Sequence, residues 1–77
     1  MRTVQILGTG CPKCRQLEAN AREAAAAAGD GWQVEKVSDL KAIMAFGVMM
    51  TPALAVDGVV KSTGKVLSPD AIRELLT

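Results

Sequence analysis

A long helical pattern lies between two short strand patterns near the start of the chain. Residues 2–7 alternate between apolar and polar, with Val4 and Ile6 on one face, which is typical of a strand. Residues 11–28 then carry apolar side chains at helical spacing and an alanine-rich second half, and residues 32–37 alternate again. A strand, a helix and a strand in this order predict two parallel strands joined by a helical crossover. This pattern restricts the chain to the α/β class.

A short helix is predicted after the second strand. Ser38 or Asp39 can cap its N-terminus, and Gly47 is typical of its end. The buried stripe of this helix is expected to consist of three apolar residues, Leu40, Ile43 and Met44.

The last part of the chain predicts a hairpin and a final helix. Residues 53–56 are a continuously apolar strand, Asp57-Gly58 is a strong hairpin-turn signal, and residues 59–61 form the return strand. Ser68-Pro69 supplies an N-cap and a proline at the first helical position, so residues 70–76 are expected to form a helix.

The seven elements follow the order β-α-β-α-β-β-α. The hairpin adds an antiparallel edge to the parallel pair, which gives a mixed four-stranded sheet with helices on both faces. A chain of 77 residues is enough for one small domain, so residues 1–77 are expected to fold as a single unit.

Composition excludes several classes of function. His is absent, which removes histidine general bases, Ser-His and Cys-His catalytic pairs and every metal site that contains His. A net charge of +1, one Trp, one Phe and no Tyr argue against nucleic acid as a partner. No apolar run approaches the roughly 20 residues of a membrane span, and the start lacks the features of a signal peptide. A cytoplasmic protein without a membrane partner is therefore expected.

The two cysteines, Cys11 and Cys14, stand at the predicted start of the first helix. A bridge over so short a loop constrains the unfolded chain little, so a Cys-x-x-Cys pair in a reducing compartment is typical of catalysis or metal binding. Helix N-terminal N–H groups favour a thiolate, and Lys13 adds a positive charge, so we expect the pKa of Cys11 to lie below about 8.5. Cys14 points along the buried face. The asymmetry predicts that Cys11 attacks a disulfide and that Cys14 then resolves the mixed disulfide.

Pro52 stands immediately before the buried strand 53–56. A cis Thr51-Pro52 peptide there would make a tight turn and leave the backbone groups of Thr51 open to an incoming extended peptide. An ordinary loop proline is the alternative.

In these features the chain resembles the thioredoxin superfamily, and within it the minimal small redox-active disulfide proteins of glutaredoxin-like size. The resemblance rests on strand, Gly-x-Gly-Cys-Pro-x-Cys, helix, Thr-Pro before an apolar strand, Asp-Gly turn and terminal helix. It implies reversible dithiol and disulfide exchange, with Cys11 as nucleophile, Cys14 as resolving cysteine and Pro52 as a cis-proline beside them. Four residues are the expected substrate contacts: Pro12, Lys13, Thr51 and Pro52.

The same resemblance implies roles in electron transport and cell redox homeostasis. The expected partners are protein disulfides or dithiols and an unidentified reductase. The protein is expected to be a monomer with no bound cofactor and no metal. The chain departs from the superfamily pattern in three ways that leave the electron donor open. Residues 2–7 hold no carboxylate, Gly10 stands where thioredoxins have Trp, and no Gly-Gly-x-Asp glutathione site follows the hairpin.

A soft-metal carrier is the alternative function, because two thiolates suit Cu(I) or Zn and a similar loop occurs in copper chaperones. Carriers of that kind end in a strand, whereas residues 70–76 predict a helix. The methionines allow two interpretations as well. Met44 is expected in the core, while Met49 and Met50 fit either the core or an adaptable apolar surface beside the substrate.

Overall fold

The computed structural model describes residues 2–29 and 31–76. It contains the predicted elements in the predicted order: β1 (Arg2–Leu7), α1 (Pro12–Ala28), β2 (Trp32–Val37), α2 (Leu40–Ala45), β3 (Ala53–Val56), β4 (Val59–Thr63) and α3 (Pro69–Leu75). The α/β fold class is confirmed. Three elements differ slightly in their bounds from the sequence prediction, since α1 begins at Pro12, β4 runs on to Thr63 and α3 spans Pro69–Leu75.

The four strands form one mixed sheet in the order β2-β1-β3-β4. β1 pairs in parallel with β2 and antiparallel with β3, and β3 pairs antiparallel with β4. Leu7, the last residue of β1, lies opposite Val37 of β2 and Ala53 of β3. The carboxyl ends of β1 and β2 and the start of β3 therefore share one end of the sheet.

Helices cover both faces of the sheet, as predicted. α1 and α3 pack on one face, over a core of Val4, Ile6, Leu17, Ala21, Ala24, Leu54, Val56, Ile72 and Leu76. α2 packs on the other face, over a smaller core of Leu7, Val37, Ile43, Val48 and Ala53. The alanines of α1 bring that helix close to the sheet, since Ala21 and Ala24 are almost completely buried.

The helix starts follow ordinary capping chemistry. Asp39, and not Ser38, caps α2, because its carboxylate accepts a hydrogen bond from the Ala42 N–H at 3.3 Å. Ser68 caps α3 by accepting from the Ala71 N–H at 3.2 Å. Among the described residues, no helix has the length and apolar character needed to cross a bilayer.

The predicted buried stripe of α2 is wrong in two of its three residues. Ile43 is buried, but Leu40 and Met44 are 61% and 65% exposed. Successive helical residues turn by about 100°, so Ile43 can share a face with Leu40 and Met44 or with Ala42 and Phe46. The structure uses the second face. Ala42 and Phe46 pack partly buried against the smaller core, and Met44 is not a core residue.

Asp57, at the turn between β3 and β4, connects this hairpin to the first residues of β1 through hydrogen bonds. Its carboxylate accepts hydrogen bonds from the Thr3 N–H at 2.9 Å and from Arg2 Nε at 2.8 Å. These two interactions, the backbone hydrogen bond first, hold the pKa of Asp57 below its ordinary value. Gly58 adds a bond from its N–H to the side-chain oxygen of Gln5 at 3.1 Å. The Arg2 guanidinium also lies over the half-buried Trp32 ring, 4.4 Å from its centroid.

Candidate redox site

The cysteine pair occupies the N-terminus of α1. Gly10 has a φ of +92°, which turns the chain after β1, and Cys11 follows in an extended conformation as the N-cap residue. Pro12 takes the first helical position, where its missing N–H leaves no hydrogen bond unmade. Cys11 and Cys14 are joined by a disulfide, with their Cα atoms 5.0 Å apart. The redox pair predicted from the sequence is therefore brought together.

The surroundings of Cys11 are electropositive. The Cys14 N–H donates a hydrogen bond to Cys11 Sγ at 3.2 Å, so the sulfur itself acts as the cap of the helix. The first turn of α1 contains no acidic residue, and Lys13 and Arg15 are exposed on it. A helix N–H therefore contacts the half-buried sulfur, and two basic residues stand on the same helical turn. These conditions favour a thiolate.

Cys14 lies on the inner side of the helix and is 3% exposed. It packs directly on Gly8, the residue after β1. A Cβ atom on Gly8 would overlap Cys14 Sγ and lie 3.0 Å from Cys14 Cβ. Gly8 is therefore a site residue to which the sequence analysis gave no role beyond being the first glycine of the motif. Its position two residues ahead of Gly10 in the Gly-x-Gly-Cys motif was the available signal.

Thr51 and Pro52 lie beside this loop. The Thr51–Pro52 peptide bond is cis, as the resemblance implied. Because Leu7 lies opposite Ala53 in the antiparallel pair, the next residues along the two strands are Gly8 and Pro52. Pro52 is buried, and its carbonyl oxygen accepts a hydrogen bond from the Gly64 N–H at 2.8 Å. Thr51 is exposed next to it.

An open groove of about 730 Å³ joins these two loops to α2. Thr9 and Thr51 line one part of it, and the rest is lined by Leu40, Ile43, Met44, Gly47, Val48 and Met49. We call it the α2 groove. Met49 is 98% exposed.

Met50, the neighbouring methionine, is 63% exposed and lies against Gly64. The core interpretation of both methionines is therefore wrong. The predicted contact residues Pro12 and Lys13 are exposed on the first turn of α1.

The sequence matches the family described as "Thioredoxin domain" over residues 2–77. The chain belongs to the thioredoxin family. It is 42% identical over 77 residues to a thioredoxin of Methanothermobacter thermautotrophicus, with both chains covered completely. It is 38% identical over 76 residues to a thioredoxin of Methanocaldococcus jannaschii, which covers 99% of this chain and 87% of that protein. Together with the Cys11–Cys14 disulfide, this makes the protein a thiol–disulfide oxidoreductase.

The sequence offers this thioredoxin-family site two cysteine sulfurs and no histidine. The part of the chain that the structure describes has no group of three or more His, Cys, Asp or Glu side chains that could surround a metal ion. The same residues include no buried polar or charged side chain, so no carboxylate accompanies Cys14 in the core. The last described element is the helix α3.

Proposed function

We propose that this oxidoreductase exchanges disulfides with protein clients, with Cys11 as the attacking residue and Cys14 as the resolving residue. The observation that carries the proposal is the unequal burial of the two sulfurs. Cys11 is half-buried at the helix N-cap, while Cys14 is 3% exposed behind it. An attacking thiol must reach a sulfur in another protein, whereas a resolving thiol needs to reach only Cys11.

In the reducing direction, the Cys11 thiolate attacks one sulfur of a client disulfide. The client S–S bond breaks, a mixed disulfide forms, and the other client sulfur leaves as a thiolate that takes up a proton. Cys14 then gives up its proton and attacks Cys11, which releases the second client thiol and leaves the Cys11–Cys14 disulfide. Two electrons have passed from the protein dithiol to the client. The reverse sequence oxidises a client dithiol.

The client backbone is proposed to dock at Thr51 and Pro52, with Pro12 and Lys13 on the opposite side of the reacting sulfur. Within residues 2–29 and 31–76, the N–H and C=O groups of Thr51 make no hydrogen bond. Exposed backbone groups of this kind pair with extended chains. This observation supports a substrate contact at Thr51 that is independent of sequence in the client.

The setting is proposed to be the cytoplasm, where an unidentified reductase would return the disulfide to the dithiol. A Cys-x-x-Cys pair with no further cysteine in the sequence fits a reducing compartment better than a stabilising crosslink. We propose a monomer, because both sulfurs and both docking loops come from one chain.

The test is stoichiometric exchange between the pre-reduced protein and 2-hydroxyethyl disulfide, followed by insulin as a protein substrate. Wild type is expected to release two product thiols per chain and to end with the Cys11–Cys14 bond. Cys11→Ser is expected to release none, and Cys14→Ser to release one and retain the other as a mixed disulfide. An undiminished rate for Cys11→Ser would overturn the proposal.

A further inference from the structure

The α2 groove presents an apolar surface next to the reacting disulfide. Leu40, Met44 and Met49 line it and are 61%, 65% and 98% exposed. Exposed apolar groups gathered in one place mark interaction sites, and methionine side chains adapt to partners of varied shape. The groove is continuous with the redox loop, since Thr9 forms part of its wall two residues before Cys11.

The charged residues in the segments that form the redox loop, α2 and the Thr51–Pro52 loop are almost all positive. Lys13 and Arg15 stand on the first turn of α1, and Lys41 stands on α2. Lys65 follows Gly64, whose N–H donates a hydrogen bond to the Pro52 carbonyl oxygen. The only acidic residue in segments 8–17, 38–52 and 64–67 is Asp39, whose carboxylate caps α2.

Four of the other five basic residues form salt bridges, while Lys61 on β4 takes part in no ion pair among the described residues. Four salt bridges of the described residues use Arg2, Arg22, Lys36 and Arg73, and none of these lies in the three segments. Lys13, Arg15, Lys41 and Lys65 take part in no ion pair among the described residues. A chain of net charge +1 thus carries unpaired positive charge at the end where it reacts.

We propose that the α2 groove binds a client segment that adjoins the client's disulfide and combines apolar side chains with Asp or Glu. The proposal rests on the proposed exchange function and adds the class of client. Apolar side chains fill the groove between α2 and the Thr9 and Thr51 loops, and client carboxylates face the unpaired lysines. Complementary charge raises the rate of encounter and rejects clients of like charge.

Four disulfide-linked peptides test this specificity with the pre-reduced full chain. The first carries apolar residues and Glu beside its cystine, the second has Gln for Glu, the third Lys for Glu, and the fourth Ser for the apolar residues. Each rate constant is divided by the rate constant for 2-hydroxyethyl disulfide, which has neither feature. We expect the Glu peptide to exceed the Lys peptide about tenfold at low salt, and the difference to shrink at about 1 M salt. The Ser peptide is expected to fall about tenfold below the Glu peptide.

Paired variants assign the specificity to the groove. Met44→Gln is expected to lower the relative rate constant of the Glu peptide, which is its rate constant divided by that of 2-hydroxyethyl disulfide, about three- to tenfold. Val59→Gln, at a similarly exposed site beside the hairpin turn, is expected to leave this relative rate constant unchanged. Lys41→Gln is expected to lower the same ratio about two- to fivefold. Its control is Arg22→Gln, which removes an equal charge at a position about 16 Å along α1 from Cys11.

Three results would overturn the inference. The Glu and Lys peptides could react at equal rates, or Val59→Gln could match Met44→Gln. The wild type could also be a dimer in size-exclusion chromatography that Met44→Gln converts to a monomer, because a second copy would then cover the groove. In each of these three cases the rate constant for 2-hydroxyethyl disulfide would stay at its wild-type value. Failure of the proposed exchange function is distinct from them, since that rate would itself vanish.

Discussion

The Cys14 N–H donates a hydrogen bond to Cys11 Sγ across 3.2 Å, so the amide of the buried cysteine stabilises the sulfur of the accessible one. The same backbone turn that begins α1 therefore also separates the two sulfurs by role. Cys11 faces outward with helix N–H groups behind it, and Cys14 lies 3% exposed against Gly8. No histidine or carboxylate is needed for this asymmetry, because helix geometry alone supplies it.

The first prediction concerns the thiol pKa of Cys11 in the reduced protein. Because the Cys14 N–H, the helix dipole and Lys13 all favour negative charge on Sγ, we expect this pKa to lie below the usual value of about 8.5. The pH dependence of alkylation by iodoacetamide, measured on Cys14→Ser, reports it directly. Cys11→Ser provides the control, because the buried Cys14 is expected to react more slowly. A Cys11 that keeps its proton into alkaline solution would contradict the role assigned to the helix terminus.

The second prediction concerns capture of clients. Cys14→Ser leaves the attacking thiol in place and removes the group that resolves the mixed disulfide, so covalent complexes are expected to accumulate. The variant is incubated with cell extract, and the complexes are compared on non-reducing and reducing gels. Cys11→Ser is the matched control and is expected to capture almost nothing. Equal capture by the two variants would show that the sulfurs share the attacking role.

Local signals predicted the redox loop and the order of elements well. Pro12, Gly47 and Ser68 act through the chain next to them, so their positions mark helix ends without any tertiary information. The Asp57-Gly58 turn marked the hairpin for the same reason. Cys11 and Cys14 were identified with their positions on α1, because a three-residue spacing places one sulfur at the cap and the other one turn further in.

The α2 groove could not be predicted in the same way. Leu40 and Met44 have the spacing of a buried stripe, and only the orientation of α2 on the sheet decides that Ala42 and Phe46 are used instead. That orientation follows from long-range packing of Ile43 on the core. Gly8 was missed for a similar reason, since its contact with Cys14 depends on how α1 crosses β1.

The third prediction follows from the contact between Gly8 and Cys14. Gly8→Ala places a methyl group where Cys14 Sγ lies, and the disulfide to Cys11 restricts how far that sulfur can move away. We expect a loss of about 1–3 kcal/mol in the free energy of unfolding, measured with urea on the oxidised protein. Exchange with 2-hydroxyethyl disulfide is expected to slow as well, because Cys14 is displaced from Cys11.

Gly31→Ala is the control for this substitution. Gly31 is exposed, and a Cβ atom there would meet nothing within 4 Å. The free energy of unfolding of the Gly31→Ala variant is expected to stay within about 0.5 kcal/mol of the wild-type value. Equal stability of the two alanine variants would mean that the site tolerates a side chain between β1 and α1.

The fourth prediction concerns the pH dependence of stability at the hairpin. Hydrogen bonds from the Thr3 N–H and from Arg2 lower the pKa of Asp57 in the folded protein. The ionised group therefore stabilises the fold at neutral pH, and this contribution is lost as pH falls below the ordinary aspartate pKa of about 3.9 and through the lower folded value. Asp57→Asn has no carboxylate to titrate. We expect the variant to be less stable than wild type at about pH 7 and the difference to narrow towards about pH 2 in urea unfolding. A difference that stays constant over this range would show that the charge of Asp57 contributes nothing to holding the hairpin on β1.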